Sequence, residues 1–257
     1  MMGRTHALTG WCAGVAASVI LGHDDVGEVV LFGATTAGFA LLPDLDHPNA
    51  RASRLLGIVT RALSRLLRAL SAGAYRLAQG PGDDPSRTGT HRHLTHTAVF
   101  AVAIGVATAV ATAAGGPWVA AGVVLLGLLL AENALGDWLL PITAASVVMW
   151  VVNTDPATAL ASVSGWLGIA VALGCVVHCL GDAITVSGCP FLWPIPIAGE
   201  CWYEIGPPSW LRFRTGSTVE TYLVAPACTL GGVLLLPGVT ELVQPWTQAL
   251  AERLLAN

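Results

Sequence analysis

The chain is poor in charge. Only 11% of its 257 residues are charged while 54% are hydrophobic, against about 25% charged in a soluble domain. This excludes an ordinary soluble domain and points to one compact polytopic membrane domain over residues 1–257, with a large insert. Lysine is absent, so all 12 cations are arginines. That bias fits a GC-rich genome or a salt-adapted host and carries no mechanism. The net charge of -4 lacks the basic footprint of a nucleic-acid binder, so no nucleic-acid partner is expected.

Other absences narrow the reading further. The six cysteines follow no disulfide framework. Cys12, Cys175 and Cys228 lie in apolar runs, where a thiol behaves as a small hydrophobe. Cys189 and Cys201 flank a proline-rich loop, but the topology below places them on the reducing side. Arg4 precedes an apolar run as in a signal peptide, yet no small-residue cleavage site follows, and the run reads as a retained first helix. The apolar runs are almost free of polar residues at mid-depth, which speaks against a metal-ion or small-solute transporter.

What is present reads as an all-α, polytopic helical bundle of about seven spans: 7–21, 29–42, 97–116, 117–131, 138–152, 157–177 and 221–236. Spans four and five form a hairpin around Glu132 and Asp137. Ser217-Thr218-Val219-Glu220 has the capping-box pattern and opens the last span. Residues 51–79 are of another kind. Leu55, Leu56, Val59, Leu63, Leu66, Leu67 and Leu70 recur at helical spacing, with Arg54, Arg61, Arg65 and Arg68 between them. This predicts a basic amphipathic helix lying in the interface, drawn to membrane lipid and its anionic headgroups, within an insert over 51–89. Residues 181–219, rich in Pro, Gly and Trp, predict an irregular loop.

Arginine placement sets the orientation. With the N-terminus inside, Arg4, the arginines of 51–92, Arg212 and Arg214 are cytoplasmic, and only Arg253 falls outside. The same arrangement gathers every His/Asp cluster except that around His23 at the cytoplasmic helix ends. Pro43-Asp44-Leu45-Asp46-His47-Pro48 holds two carboxylates and an imidazole between prolines that resist helix continuation. Alternate residues of an extended chain share a face, so Asp44 and Asp46 can point together. His91-Arg92-His93-Leu94-Thr95-His96 places three imidazoles in six residues; in a helix His93 and His96 would face together, as would Arg92 and His96. His178 and Asp182, at i and i+4, share a helix face. His6 precedes the first apolar run. Carboxylate oxygens and neutral imidazoles are the ligands a divalent ion takes. The bland readings are a polar turn for the hexapeptide, a helix-end salt bridge for His178 and Asp182, and positive-inside residues for Arg92, Arg212 and Arg214, which could otherwise clamp a phosphate.

The order Gly3-Arg4-Thr5-His6, Pro43-Asp44-Leu45-Asp46-His47, His91-Arg92-x-x-Thr95-His96 and His178-x-x-Gly181-Asp182-x-x-Thr185-x-x-Gly188 resembles the group named membrane-bound metal-dependent hydrolases of bacteria and archaea, also described as LexA-binding, inner-membrane-associated hydrolases. The resemblance runs from residue 3 to about 220. It implies a metal-dependent hydrolase of a prokaryotic cytoplasmic membrane, multi-pass, with its site facing the cytoplasm and no substrate established for the group.

Together these readings predict a metal site of His6, Asp44, Asp46, His47, His91, His96, His178 and Asp182, with Asp44, Arg92 and Asp182 as catalytic candidates. Zn2+ is the expected ion, with Mn2+ or Mg2+ as alternatives. The ligands exceed the three that one catalytic zinc takes from protein, so two ions are accommodated. The expected chemistry is phosphoester hydrolysis of a lipid or lipid-linked substrate. The rivals are a transporter and a non-catalytic protein with a structural metal in closed coordination.

Overall fold

A computed structural model describes residues 1–245 apart from Arg51, Thr240 and Val243. Arg51 and Arg253, both used above to orient the chain, therefore lie outside the described residues. Among the described residues there are seven α-helices: α1 (Gly3–Ile20), α2 (Val26–Phe39), α3 (Ile58–Leu77), α4 (Ala98–Leu135), α5 (Leu139–Thr154), α6 (Pro156–Ala183) and α7 (Ala225–Leu234). No β-strand is present among the described residues; the 184–213 loop carries only isolated bridges such as Cys189 with Ile205.

Among the described residues three stretches are long and apolar enough to cross a membrane: Val26–Asp46, Ala98–Leu135 and Pro156–Ala183. Helix α2 is the centre of the bundle. Almost every residue along it is buried, as expected for a helix that is apolar all round, and α1, α4, α5 and α6 pack against it.

Helix α4 is two helices in one. Gly116 has φ 66° and ψ -155°, a conformation that glycine adopts without steric cost, and Pro117 follows it. An unbroken helix of 38 residues would extend about 57 Å. Instead both ends of α4 meet the segment after α2. Thr95, three residues before α4, donates to Asp46, while Asn133 and Ala134 line one cavity with Asp44 and Ala52. The arms 98–115 and 117–135 thus form a hairpin, with the break where the sequence divides spans three and four.

Helix α3 has three sectors rather than two. At about 100° per residue, Thr60, Ser64, Ser71 and Tyr75 fall together and are buried against the protein. Val59, Leu63, Leu66, Leu70 and Leu77 form a second sector and are exposed. The exposed Arg61, Arg65 and Arg76 form a third, on the far side of the packed face from the leucines. The leucine stripe is therefore not what docks the helix. Thr60, Ser64, Ser71 and Tyr75 do that, with the half-buried Leu67 packed against the core beside them. Ser71 Oγ donates to the Gly89 carbonyl at 2.6 Å and accepts from the Leu94 amide at 3.2 Å. Tyr75 Oη donates to the Asp84 carbonyl at 2.6 Å. The insert so buttresses the segment that carries His91–His96.

Candidate metal centre

The centre is assembled from three short segments that meet beyond the ends of α2, α4 and α6. The first is the 3-10 turn Pro43–Asp46, the second residues 91–96, and the third the last turn and a half of α6. A close approach of α6 to α2 sets the reach. A Cβ on Gly174 would lie 2.7 Å from the Ala40 amide nitrogen and the Thr36 carbonyl oxygen, so only glycine lets the two backbones touch. One turn later His178 is near enough for its Nδ1 to donate to the Ala40 carbonyl at 2.7 Å. That bond fixes the proton on Nδ1 and leaves the Nε2 lone pair bare.

The same logic fixes His96, through two intermediaries. Asp46 Oδ2 accepts from Thr95 Oγ1 at 2.7 Å, so the threonine proton is spent. The 3.0 Å contact between Thr95 Oγ1 and His96 Nδ1 then has the imidazole as donor, and His96 Nε2 is bare. Asp46 Oδ1 pairs with His91 Nδ1, which leaves His91 Nε2 bare as well. Burial pushes the His96 imidazole down to about 3, keeping it neutral and able to ligate near pH 7.

The bare nitrogens of His96 and His178 stand 3.2 Å apart. Asp44 Oδ1 lies 3.9 Å from the first and 3.8 Å from the second, and Asp182 Oδ2 lies 3.7 and 3.8 Å from them. Two nitrogens bound tetrahedrally at about 2.0–2.1 Å would stand roughly 3.4 Å apart. The two nitrogens therefore have about the spacing of ligands on one ion, and a carboxylate oxygen of Asp44 and one of Asp182 each stand within 3.9 Å of both. Asp182 Oδ2 and His6 Nδ1 are buried without a hydrogen-bond partner, the polar atoms a cation would satisfy. Two triads that share no residue, His6/His178/Asp182 and Asp44/His91/His96, each have ligand atoms within 4.8 Å of one another.

The remaining expected residues divide. His6 is buried, stacks on His178 with centroids 3.8 Å apart, and has Nε2 3.2 Å from Asp182 Oδ1. The Met1 amino group also pairs with that oxygen. Asp46 is buried but both its oxygens are taken by His91, Thr95 and the Arg92 amide, so it stands behind the ligands. His47 has its Nδ1 engaged by the Asn49 amide at 3.2 Å and packs edge-on to His91, outside the four-atom set. Arg92 Nη2 reaches Asp182 Oδ2 at 3.1 Å, inside ion-pair range but without hydrogen-bond alignment. Its backbone is strained, at φ 57°, a conformation uncommon outside glycine and concentrated at functional sites.

Residues 91–96 are not the start of a helix, and this corrects the expected pairing of His93 with His96. Helix α4 begins at Ala98 behind a Thr97 cap, whose Oγ1 accepts from the Phe100 amide at 3.1 Å. His93 turns away into an aromatic cluster with Tyr75 and Trp202. Arg212 Nε donates to the Pro207 carbonyl at 2.7 Å and holds its own loop. Glu132 and Asp137 line a separate cavity with Arg4. Glu220 is fully buried and accepts from the Met2 amide at 2.6 Å and the Gly216 amide at 2.7 Å. Only half of the expected capping box forms, through a long 3.4 Å bond from the Glu220 amide to Ser217 Oγ. The described cysteines are all free, and Cys189 Sγ donates to the His96 carbonyl.

Residues 1–239 match the family described as YdjM inner membrane protein. The chain belongs to that family. The match takes in all of the segments that build the centre, from His6 to Asp182. The membrane assignment of the YdjM family agrees with the apolar stretches above and makes membrane lipid the surroundings of the bundle. No curated protein and no solved structure matches the chain.

Proposed function

We propose that this member of the YdjM family is a metal-dependent hydrolase of the inner membrane, acting on a phosphoester of a lipid or lipid-linked substrate at the cytoplasmic interface. Asp44, His96, His178 and Asp182 would hold a divalent cation, Zn2+ above others, with His6 and His91 flanking it for a second. Bound there, the cation would supply a Lewis acid for the phosphoryl oxygens and acidify water. The chain's own residues do the positioning. Asp46 sets the tautomers of His91 and His96, Ala40 sets that of His178, and Arg92 brings a guanidinium fork to the edge of the centre, suited to phosphate. Of the carboxylates, Asp44 is the one at the open edge, placed to take a proton.

The observation that carries this reading is the pair of bare imidazole nitrogens facing each other between two carboxylates. Lone pairs at that distance repel, and the half-buried Asp44 carboxylate repels the buried one of Asp182 as well; a divalent ion would remove both penalties. Exposure favours a catalytic over a structural metal. Asp44 is 24% exposed beside a cavity while Asp182 is 1% exposed, so the set is open on one side.

The topology that goes with this reading has seven crossings, counting the two arms of α4 separately and leaving α3 in the inner leaflet, where its arginines meet anionic headgroups. Metal analysis of purified protein, paired with a phosphate-release screen against phospholipids, tests the function. Bound divalent metal and release from one lipid class are expected; a metal-free protein, or full occupancy in both His178→Ala and Asp44→Ala, overturns it. Cysteines introduced near Asp84 and near Gly206 should label from the same, cytoplasmic side.

A further inference from the structure

A cavity of about 460 Å3 opens beside the centre, within the ~300–1,000 Å3 usual for small-molecule pockets. Asp44 forms one wall and Arg4 another, Leu41, Ala52 and Ala134 supply apolar surface, and Asn133 closes the far side. Arg4 is exposed, and among the described residues it makes no hydrogen bond or ion pair. It sits in the first turn of α1, whose N-cap residue Met2 offers no side-chain cap. Asn133 is shared with two shallower cavities. One, lined by Glu132 and Asp137, repels a second anion; the other, lined by Leu55 and Arg54, leads towards α3.

We propose that this cavity is the headgroup subsite for an amphiphilic phosphoester, with Arg4 as its anion contact and the apolar wall of Leu41, Ala52 and Ala134 against the first methylenes of its tail. The inference rests on the metal-centre reading for its chemistry, since Asp44 borders both. It assigns Arg4 a role in binding, apart from Arg92 at the metal edge. A planar fork suits a phosphate held at two oxygens, and the half-apolar lining distinguishes an amphiphile from a free anion. The chemistry could be met by a lipid headgroup or by inorganic phosphate.

The test is calorimetric titration of the full chain, in a neutral maltoside detergent with Zn2+ present, using monohexyl phosphate and inorganic phosphate as separate probes. Monohexyl phosphate should bind at least about tenfold more tightly than inorganic phosphate. Arg4→Gln should weaken it by about tenfold or more, with Arg4→Lys losing less. Metal content, measured on the same samples, should be unchanged in both variants, which also shows that they fold. Equal affinity in wild type and Arg4→Gln, or no binding in wild type, overturns the subsite. Equal binding of the two probes, both dependent on Arg4, overturns the amphiphile and leaves a site for free phosphate. Wild type that binds monohexyl phosphate through Arg4 yet carries no metal would refute the metal-centre reading while sparing the subsite.

Discussion

The molecule buries acidic and histidine side chains at both ends of its bundle, and the two clusters are built on opposite terms. At one end Glu28, in the first turn of α2, is buried, but its Oε1 is served by donors already in the chain. Ser162 Oγ donates to it, Trp166 Nε1 donates at 3.1 Å, and His23 Nδ1 lies at 3.1 Å. At the other end Asp182 Oδ2 and His6 Nδ1 have no hydrogen bond, Arg92 Nη2 reaches Asp182 Oδ2 only at ion-pair range, and the Nε2 atoms of His96 and His178 face each other. Burial of charged and polar groups is therefore not the distinguishing mark of a site. What distinguishes it is whether the surrounding chain supplies the missing protons. The Glu28 carboxylate has donors to Oε1 from the chain itself; the Asp182 cluster leaves two buried atoms without a hydrogen bond, which a cation would satisfy.

Breaking the second cluster should have the largest effect. His178→Ala or Asp182→Ala is expected to reduce bound metal by at least about tenfold and to abolish any phosphoester hydrolysis, as read by metal analysis and phosphate release. The melting temperature of the wild type should fall on chelation, and that of either variant should not, because binding to the folded state alone stabilises it. Retention of a full complement of metal in His178→Ala would remove the distinction between the two ends.

Asp46→Asn sharpens the comparison. If Asp46 orients ligands rather than binding the ion, metal should still bind, but about 10–100-fold more weakly, the usual cost of losing an outer-shell carboxylate. A loss as complete as that of His178→Ala would make Asp46 a ligand after all. At the other end, Glu28→Gln leaves its donors poorly served and should cost about 1–3 kcal/mol in stability, with metal content unchanged; denaturant titration beside metal analysis separates the two quantities. Ser71→Ala should be smaller, about 1 kcal/mol, with a modest fall in metal affinity, because Ser71 pins both Gly89 and Leu94. His23→Ala should leave metal and activity as they are.

The sequence made the apolar runs, the hairpin break at Gly116-Pro117 and the convergence of His6, Asp44, His96, His178 and Asp182 legible, because each rests on period, spacing or charge sign. It did not reveal which face of α3 packs. A leucine stripe marks the most apolar side of a helix, and in a soluble protein that side would be the core; here Thr60, Ser64, Ser71 and Tyr75 make the buried contact instead. Nor did it separate ligands from their supports in Asp44-Leu45-Asp46-His47. The 3-10 turn sends Asp46 to Thr95 and the Arg92 amide, and these long-range hydrogen bonds leave no local pattern. The role of Glu220 was half visible. Its capping pattern could be read, but its bond to the Met2 amide, from the other end of the chain, could not.

The position of His178 and Asp182 in the closing turns of α6 has a consequence for biogenesis. Chains emerge from the ribosome N-terminal end first, so His6, Asp44, His91 and His96 are synthesised well before the last two ligands exist. A nascent chain can insert α1, α2 and the α4 hairpin, yet its partial ligand set lacks the one helix that brings a histidine and a carboxylate together. On the metal-centre reading, the set of Asp44, His96, His178 and Asp182 can close only after α6 is synthesised, and capture of an ion there would lock the first half of the protein to the second.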